Sequence, residues 1–141
     1  MKKPRLINKN LILAVALISA CGYSFAQTQT QTYSTPGTFT FTVPAGVSSV
    51  IVECWGAGGG GGGNPTTADG GGGGGGGAYS RSVLAVSPGN YSLTVGAGGA
   101  GGSGGNGSDG GDTWFGSSTT IRAAGGKRGC APLGGAAGVS G

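Results

Sequence analysis

Long glycine stretches limit this chain more than any other feature: 56–63 is glycine except at Ala57, 70–77 is glycine throughout, and 96–111 is glycine broken by small and polar residues. Such a run has no side chains to bury, and each residue gives up roughly 1 to 2 kcal/mol of backbone entropy on ordering, so an isolated run stays disordered. The competing outcome is collective. Backbones without Cβ atoms approach closely enough, as polyproline-II-type helices, to exchange N–H···O and Cα–H···O bonds with their neighbours. A run of eight then spans about 25 Å at ~3.1 Å per residue. Three runs, each launched from the end of a strand segment, support bundling and leave it open against disorder. Collagen is excluded, because glycine does not recur at every third position and the chain has only 6 prolines.

The segments between the runs read as strands. Thr-Phe-Thr-Phe-Thr-Val at 38–43 alternates strictly, with Phe39, Phe41 and Val43 on one face and three threonines on the other. After Pro44-Ala45-Gly46, the run 47–55 puts Val50, Val52 and Cys54 on one face and Ile51, Glu53 and Trp55 on the other, so both faces are expected to be partly covered. These two runs predict a β-hairpin. A second is predicted from 78–86 and 91–95 around Ser87-Pro88-Gly89-Asn90, and weaker strands at 113–115 and 119–124. No segment has a helical apolar period. The expected fold is all-β, an antiparallel, sandwich-like scaffold with inserted glycine-rich segments, open between separate loops and a bundle of polyproline-II or polyglycine-II helices.

Lys2, Lys3, Arg5 and Lys9 precede the apolar run 11–18 and then small residues, the order of a secretory signal. Residues 1–26 read as that signal, 27–36 as a polar spacer and 37–141 as a glycine-rich β domain, expected to be truncated at its C-terminus because it stops inside a glycine-rich stretch. Ser24-Phe25-Ala26 before Gln27 fits cleavage between Ala26 and Gln27. Ile18-Ser19-Ala20-Cys21 resembles a lipobox, which makes lipidation at Cys21 the alternative. Cleavage after Ala26 is preferred, since the polar spacer begins there. Loss of the signal leaves Arg81, Arg122, Lys127 and Arg128 against Glu53, Asp69, Asp109 and Asp112. The pI of 9.2 therefore belongs to the signal and gives no argument for nucleic acid. Cys54 and Cys130 remain in the folded part, open between a disulfide and two buried small residues.

Phe39-Thr40-Phe41-Thr42-Val43-Pro44-Ala45-Gly46-Val47, the segment from Val50 to Gly60, and the segment from Ser87 to Gly102 with its Ser-Pro-Gly-Asn-Tyr start resemble the glycine-rich domains of bacterial surface proteins and of bacteriophage tail fibres and adhesins. The similarity covers nearly all of the chain from Tyr33 onward. It implies bundled polyglycine helices carried by a β scaffold, as in phage tail-tip adhesins and the extracellular glycine-rich domain of anaplastic lymphoma kinase receptors. A signal segment is out of place on a phage tail protein and points to a bacterial envelope.

Short motifs add little. Glycine makes up 37 of 141 residues, several times the usual share of about 7%, so Gly96-Ala97-Gly98-Gly99-Ala100-Gly101 meets G-x-G-x-x-G by chance, without the helix that dinucleotide binding needs. Gly104-Gly105-Asn106-Gly107-Ser108-Asp109 matches the start of a calcium-binding β-roll repeat, but Gly111 stands where a large apolar residue belongs. Asp109 and Asp112 read as solvated turn residues. The sequence has no histidine, which removes the usual general base and most zinc sites, and its acids are scattered. Tyr79, Tyr91, Trp55, Trp114 and Phe115 read as core rather than as an exposed aromatic patch, and Arg81 and Arg122 as guards of strand edges.

The expected function is a secreted or cell-surface structural and adhesive module that displays glycine-rich loops, with no enzyme activity, cofactor or metal. Surface glycans or other surface proteins are the expected partners; nucleic acid is not, and a membrane enters only through a lipid anchor. A carbohydrate- or receptor-binding head is one alternative. An ice-binding protein is another, but it needs a regular ladder of short side chains, and Asn64-Pro65-Thr66-Thr67-Ala68 is irregular.

Overall fold

The computed structural model describes residues 28–64, 70–117 and 119–131. The signal segment, with Cys21 and the cleavage point at Ala26 and Gln27, lies outside them. The chain divides into Met1–Thr32 and Tyr33–Gly141, and the strands all belong to the second unit.

The alternating segments become antiparallel strands, and among the described residues there is no helix. They are β1 (Gly37–Val43), β2 (Ser49–Trp55), β3 (Tyr79–Ala85), β4 (Gly89–Val95), β5 (Thr113–Phe115) and β6 (Ile121–Ala123). One sheet has the order β1-β4-β5-β6 and the other is β2-β3. β2 lies across β5 and β6, and β3 across β6. Cys54, Leu93, Phe115, Ile121 and Ala123 fill the space between the sheets, with Phe39, Phe41, Val52, Leu84 and Tyr91 packed around them.

Neither expected hairpin forms. β1 pairs with β4, from Gly37↔Val95 to Val43↔Gly89, and β2 pairs with β3, from Ser49↔Ala85 to Trp55↔Tyr79. The turn signals are real, but they carry the chain from one sheet to the other. Val47 N–H donates to the Pro44 carbonyl (3.3 Å) around Gly46 at φ +87°, a conformation that a side chain would strain. A Pro-Gly turn specifies a reversal and leaves open whether the returning strand lies beside the first or opposite it.

The glycine runs prolong the strand ladders that result. Beyond Trp55↔Tyr79, Gly56 N–H donates to Ala78 C=O (2.8 Å), Gly59 to Gly75 (2.9 Å) and Gly62 to Gly72 (2.8 Å). Beyond Thr94↔Trp114, Gly111 donates to Ala97 and Ser108 to Ala100, both at 2.8 Å. The β5–β6 register continues through Gly110 to Gly126 (2.9 Å) and Gly107 to Gly129 (3.0 Å). Every donor advances by three residues, the repeat of a three-fold extended helix. Runs 56–63, 70–78, 96–102, 105–112 and 124–131 thus extend the two sheets as polyglycine rods.

The rods of the two sheets are also bonded to each other. Ala57, Gly60 and Gly63 donate to Gly111, Ser108 and Gly105; Gly126 and Gly129 donate to Ala57 and Gly60; Gly99 and Gly102 donate to Gly58 and Gly61. Ala78, Gly75 and Gly72 donate to Ala124, Lys127 and Cys130. The 56–63 rod is therefore bonded to all four others, and the expected bundle is a lattice with this rod inside it. Its open side, between rods 70–78 and 96–102, presents Gly58 and Gly61.

Candidate interaction surface

The two sheets differ sharply on their solvent faces. On β1 and β4 that face is hydroxyl-rich: Thr38 lies 3.2 Å from Thr94 across the pair, and the Thr42 hydroxyl donates to Asn90 Oδ1 (2.8 Å). On β2 and β3 it is apolar. Ile51 (61% exposed), Trp55 (61%), Tyr79 (45%) and Val83 (62%) all stand there. Register pairs like with like: Ile51 opposite Val83, Trp55 opposite Tyr79, and between them Glu53 opposite Arg81. The Trp55 and Tyr79 rings are 5.1 Å apart and tilted by 46°. Glu53 Oε1 accepts from Arg81 Nε and from the Tyr79 hydroxyl, each at 3.0 Å. Partial desolvation, with the bond to Glu53, pushes the Tyr79 phenol above its ordinary range. The outer face of β2, expected to be partly covered, is open, and Trp55 and Tyr79 leave the set of aromatic core residues. Trp114 and Tyr91 are half-buried and Phe115 is buried.

On the bundle, Asn106, Asp109 and Asp112 recur at every third residue of one rod and face every third amide of its neighbour. Asn106 Oδ1 accepts from Ala131 N–H (3.2 Å), Asp109 Oδ1 from Arg128 N–H (2.9 Å) and Asp112 Oδ1 from Gly125 N–H (2.8 Å). The second oxygens of the two aspartates bind cations: Lys127 Nζ donates to Asp109 Oδ2 (2.9 Å) and Arg122 Nη1 to Asp112 Oδ2 (2.9 Å). These acids are the outer staples of the lattice and not the solvated turn residues expected. The Arg128 N–H bond and the Lys127 ammonium hold the Asp109 carboxyl below the usual carboxylate range. A carboxyl depressed on folding adds stability that is present above its unfolded value of about 3.9 and is lost as pH falls through the folded value. Acid titration of the wild type should therefore show unfolding that steepens below about pH 4. Asp109→Asn, which keeps the acceptor but not the charge, should flatten that limb, and unchanged acid limbs in the two proteins would contradict the assignment.

The family model of the glycine-rich domain matches residues 32–141. The chain belongs to this family. No curated protein matches it, and no solved structure does.

Within this glycine-rich domain the two thiols, which the sequence leaves open between a bridge and two buried small residues, are kept apart. Both are free. Cys54 is 3% exposed between the sheets, where burial pushes its pKa up. Cys130 stands beside Gly62 at the far end of the bundle. Eight rod residues separate those levels, about 25 Å at ~3.1 Å per residue, whereas a disulfide needs Cα atoms within about 7 Å. The G-x-G-x-x-G segment is likewise committed, since Gly99 donates to Gly58 inside the lattice. Among the described residues no group of three acids, cysteines or histidines is placed to hold a metal. Only the Asx spacing at 106, 109 and 112 could have revealed the staples in the sequence, and only to a reader expecting a three-residue repeat.

Proposed function

We propose that this glycine-rich domain is a secreted or cell-surface structural and adhesive module of a bacterial envelope, without enzyme activity. The observation that carries the reading is the lattice itself. Five rods bonded side by side form a stiff body, with the turn at Ser103 and Gly104 and residues Asn64, Gly70 and Ala131 gathered at the end away from the sheets. Glycine rods contribute rigidity and reach, which suits display.

A second reading, a carbohydrate- or receptor-binding head, is favoured by the exposed Trp55 and Tyr79, since aromatic rings at a surface are common contacts for sugars and protein partners. One experiment separates the two. Intact cells producing the chain are stained with antibody to residues 37–141, and the purified domain is tested for adhesion to cells and to a glycan array. Staining with adhesion that survives Trp55→Ala supports display through the bundle end. Glycan binding lost in Trp55→Ala supports the head, and a protein found only in the cytosol contradicts both.

A further inference from the structure

We infer that the outer face of the β2–β3 sheet is a contact between two copies of this chain, packed face to face about a two-fold axis that runs along the strands and between them. The inference goes beyond the adhesive reading and does not depend on the bundle tips. It starts from the cross-strand pattern. Rotation about such an axis exchanges the two strands and keeps position along them, so each residue of one copy meets the residue that its own cross-strand partner occupies in the other. Ile51 then meets Val83, Trp55 meets Tyr79, and Glu53 meets Arg81 of the partner copy. Acid falls on base, ring on ring and aliphatic on aliphatic. A rotation about the in-plane axis across the strands would instead set Glu53 on Glu53 and Arg81 on Arg81, so the charges select one geometry.

A sugar fits this face less well. Its Glu53 oxygen is already taken by Tyr79 and Arg81, its rings are tilted rather than coplanar, and sugar sites need convergent unengaged polar groups. The opposite sheet, with its threonine and serine hydroxyls, has no comparable patch: the large exposed hydrophobics among the described residues stand on β2 and β3. With aromatic side chains of 150–250 Å² each, the six residues present on the order of 500 Å². Stable complexes bury about 800 Å² per partner, so the dimer is weak and exchanges quickly.

Sedimentation equilibrium of the exported chain, from about 10 μM to 1 mM, is the test, in the range where interfaces of this size dissociate. The wild type should move from monomer to dimer across it. E53R and R81E should each weaken association at least tenfold, by setting like charges across the axis. An equimolar mixture of E53R and R81E should regain it, because one copy then offers two bases and the other two acids. Thermal melts of both variants establish that they remain folded. A wild type that stays monomeric at 1 mM, a single charge variant that dimerises as well as wild type, or a mixture that does not associate would each overturn the inference. Glycan binding by a monomer that is lost in Trp55→Ala would assign the face to a sugar instead.

Discussion

Replacing Gly60 with alanine is expected to cost more than about 4 kcal/mol, the range reserved for substitutions with a severe local cause, and to break up the rod lattice. A Cβ at this position would lie 1.9 Å from the Ala100 carbonyl oxygen and 2.3 Å from its carbon. Both are backbone atoms on a neighbouring rod, so relief requires the rods to part. Parting them strains the bond from Gly60 N–H to Ser108 C=O and the bond from Gly129 N–H to Gly60 C=O, each 2.8 Å. Gly73 is the control. Nothing lies within 4 Å of a Cβ there, and its φ is not positive. Alanine at Gly73 should be neutral or stabilise by up to about 1 kcal/mol, because it restricts the unfolded chain. Urea denaturation of the two variants beside wild type decides the matter. Equal midpoints for Gly60→Ala and Gly73→Ala would mean that the rods are not in van der Waals contact.

The second large effect belongs to the sandwich. Phe115 is 6% exposed and pairs with Leu93. Its ring is stacked on Tyr91 (5.6 Å, 13°) and meets Phe41 edge-on (5.8 Å, 65°). Three rings around one site in a small core leave little else to close the gap, so Phe115→Ala should cost about 3–5 kcal/mol. Ile51→Ala removes a residue of similar hydrophobicity from the exposed face of β2 and should stay within about 0.5 kcal/mol of wild type. The thermal midpoints of the two variants test the assignment of inner and outer faces together. A larger loss for Ile51→Ala than for Phe115→Ala would reverse it.

These substitutions also mark where sequence reasoning ended. Alternation placed Phe39, Phe41 and Val43 on one face of β1 correctly, because period two is a local property of extended backbone. The same alternation gave β2 two faces, one with Val50, Val52 and Cys54 and one with Ile51, Glu53 and Trp55. It could not say which would be left bare. That depends on β5 and β6 arriving over the first face from more than fifty residues away, with nothing in the described residues arriving over the second. Sequence alone therefore assigns Trp55 and Tyr79 to the core: aromatic residues within strands are usually covered, and the exception is visible only once the layers are assembled.

By itself, the sequence determined the all-β class, the strand segments and the competition between disordered and bundled glycine, since each follows from side-chain alternation and from the missing Cβ. The tertiary structure decided everything that joins distant segments. It placed β1 beside β4 and β2 beside β3, it kept Cys54 and Cys130 at opposite ends of the rods, and it turned Asp109 and Asp112 from solvated turn residues into staples that continue the spacing of Asn106. The physical reason is that a glycine rod has no side chain with which to specify its neighbour. Its bonds are those of bare backbone, alike at every third residue, so the flanking strands must set the register that the rods then carry on.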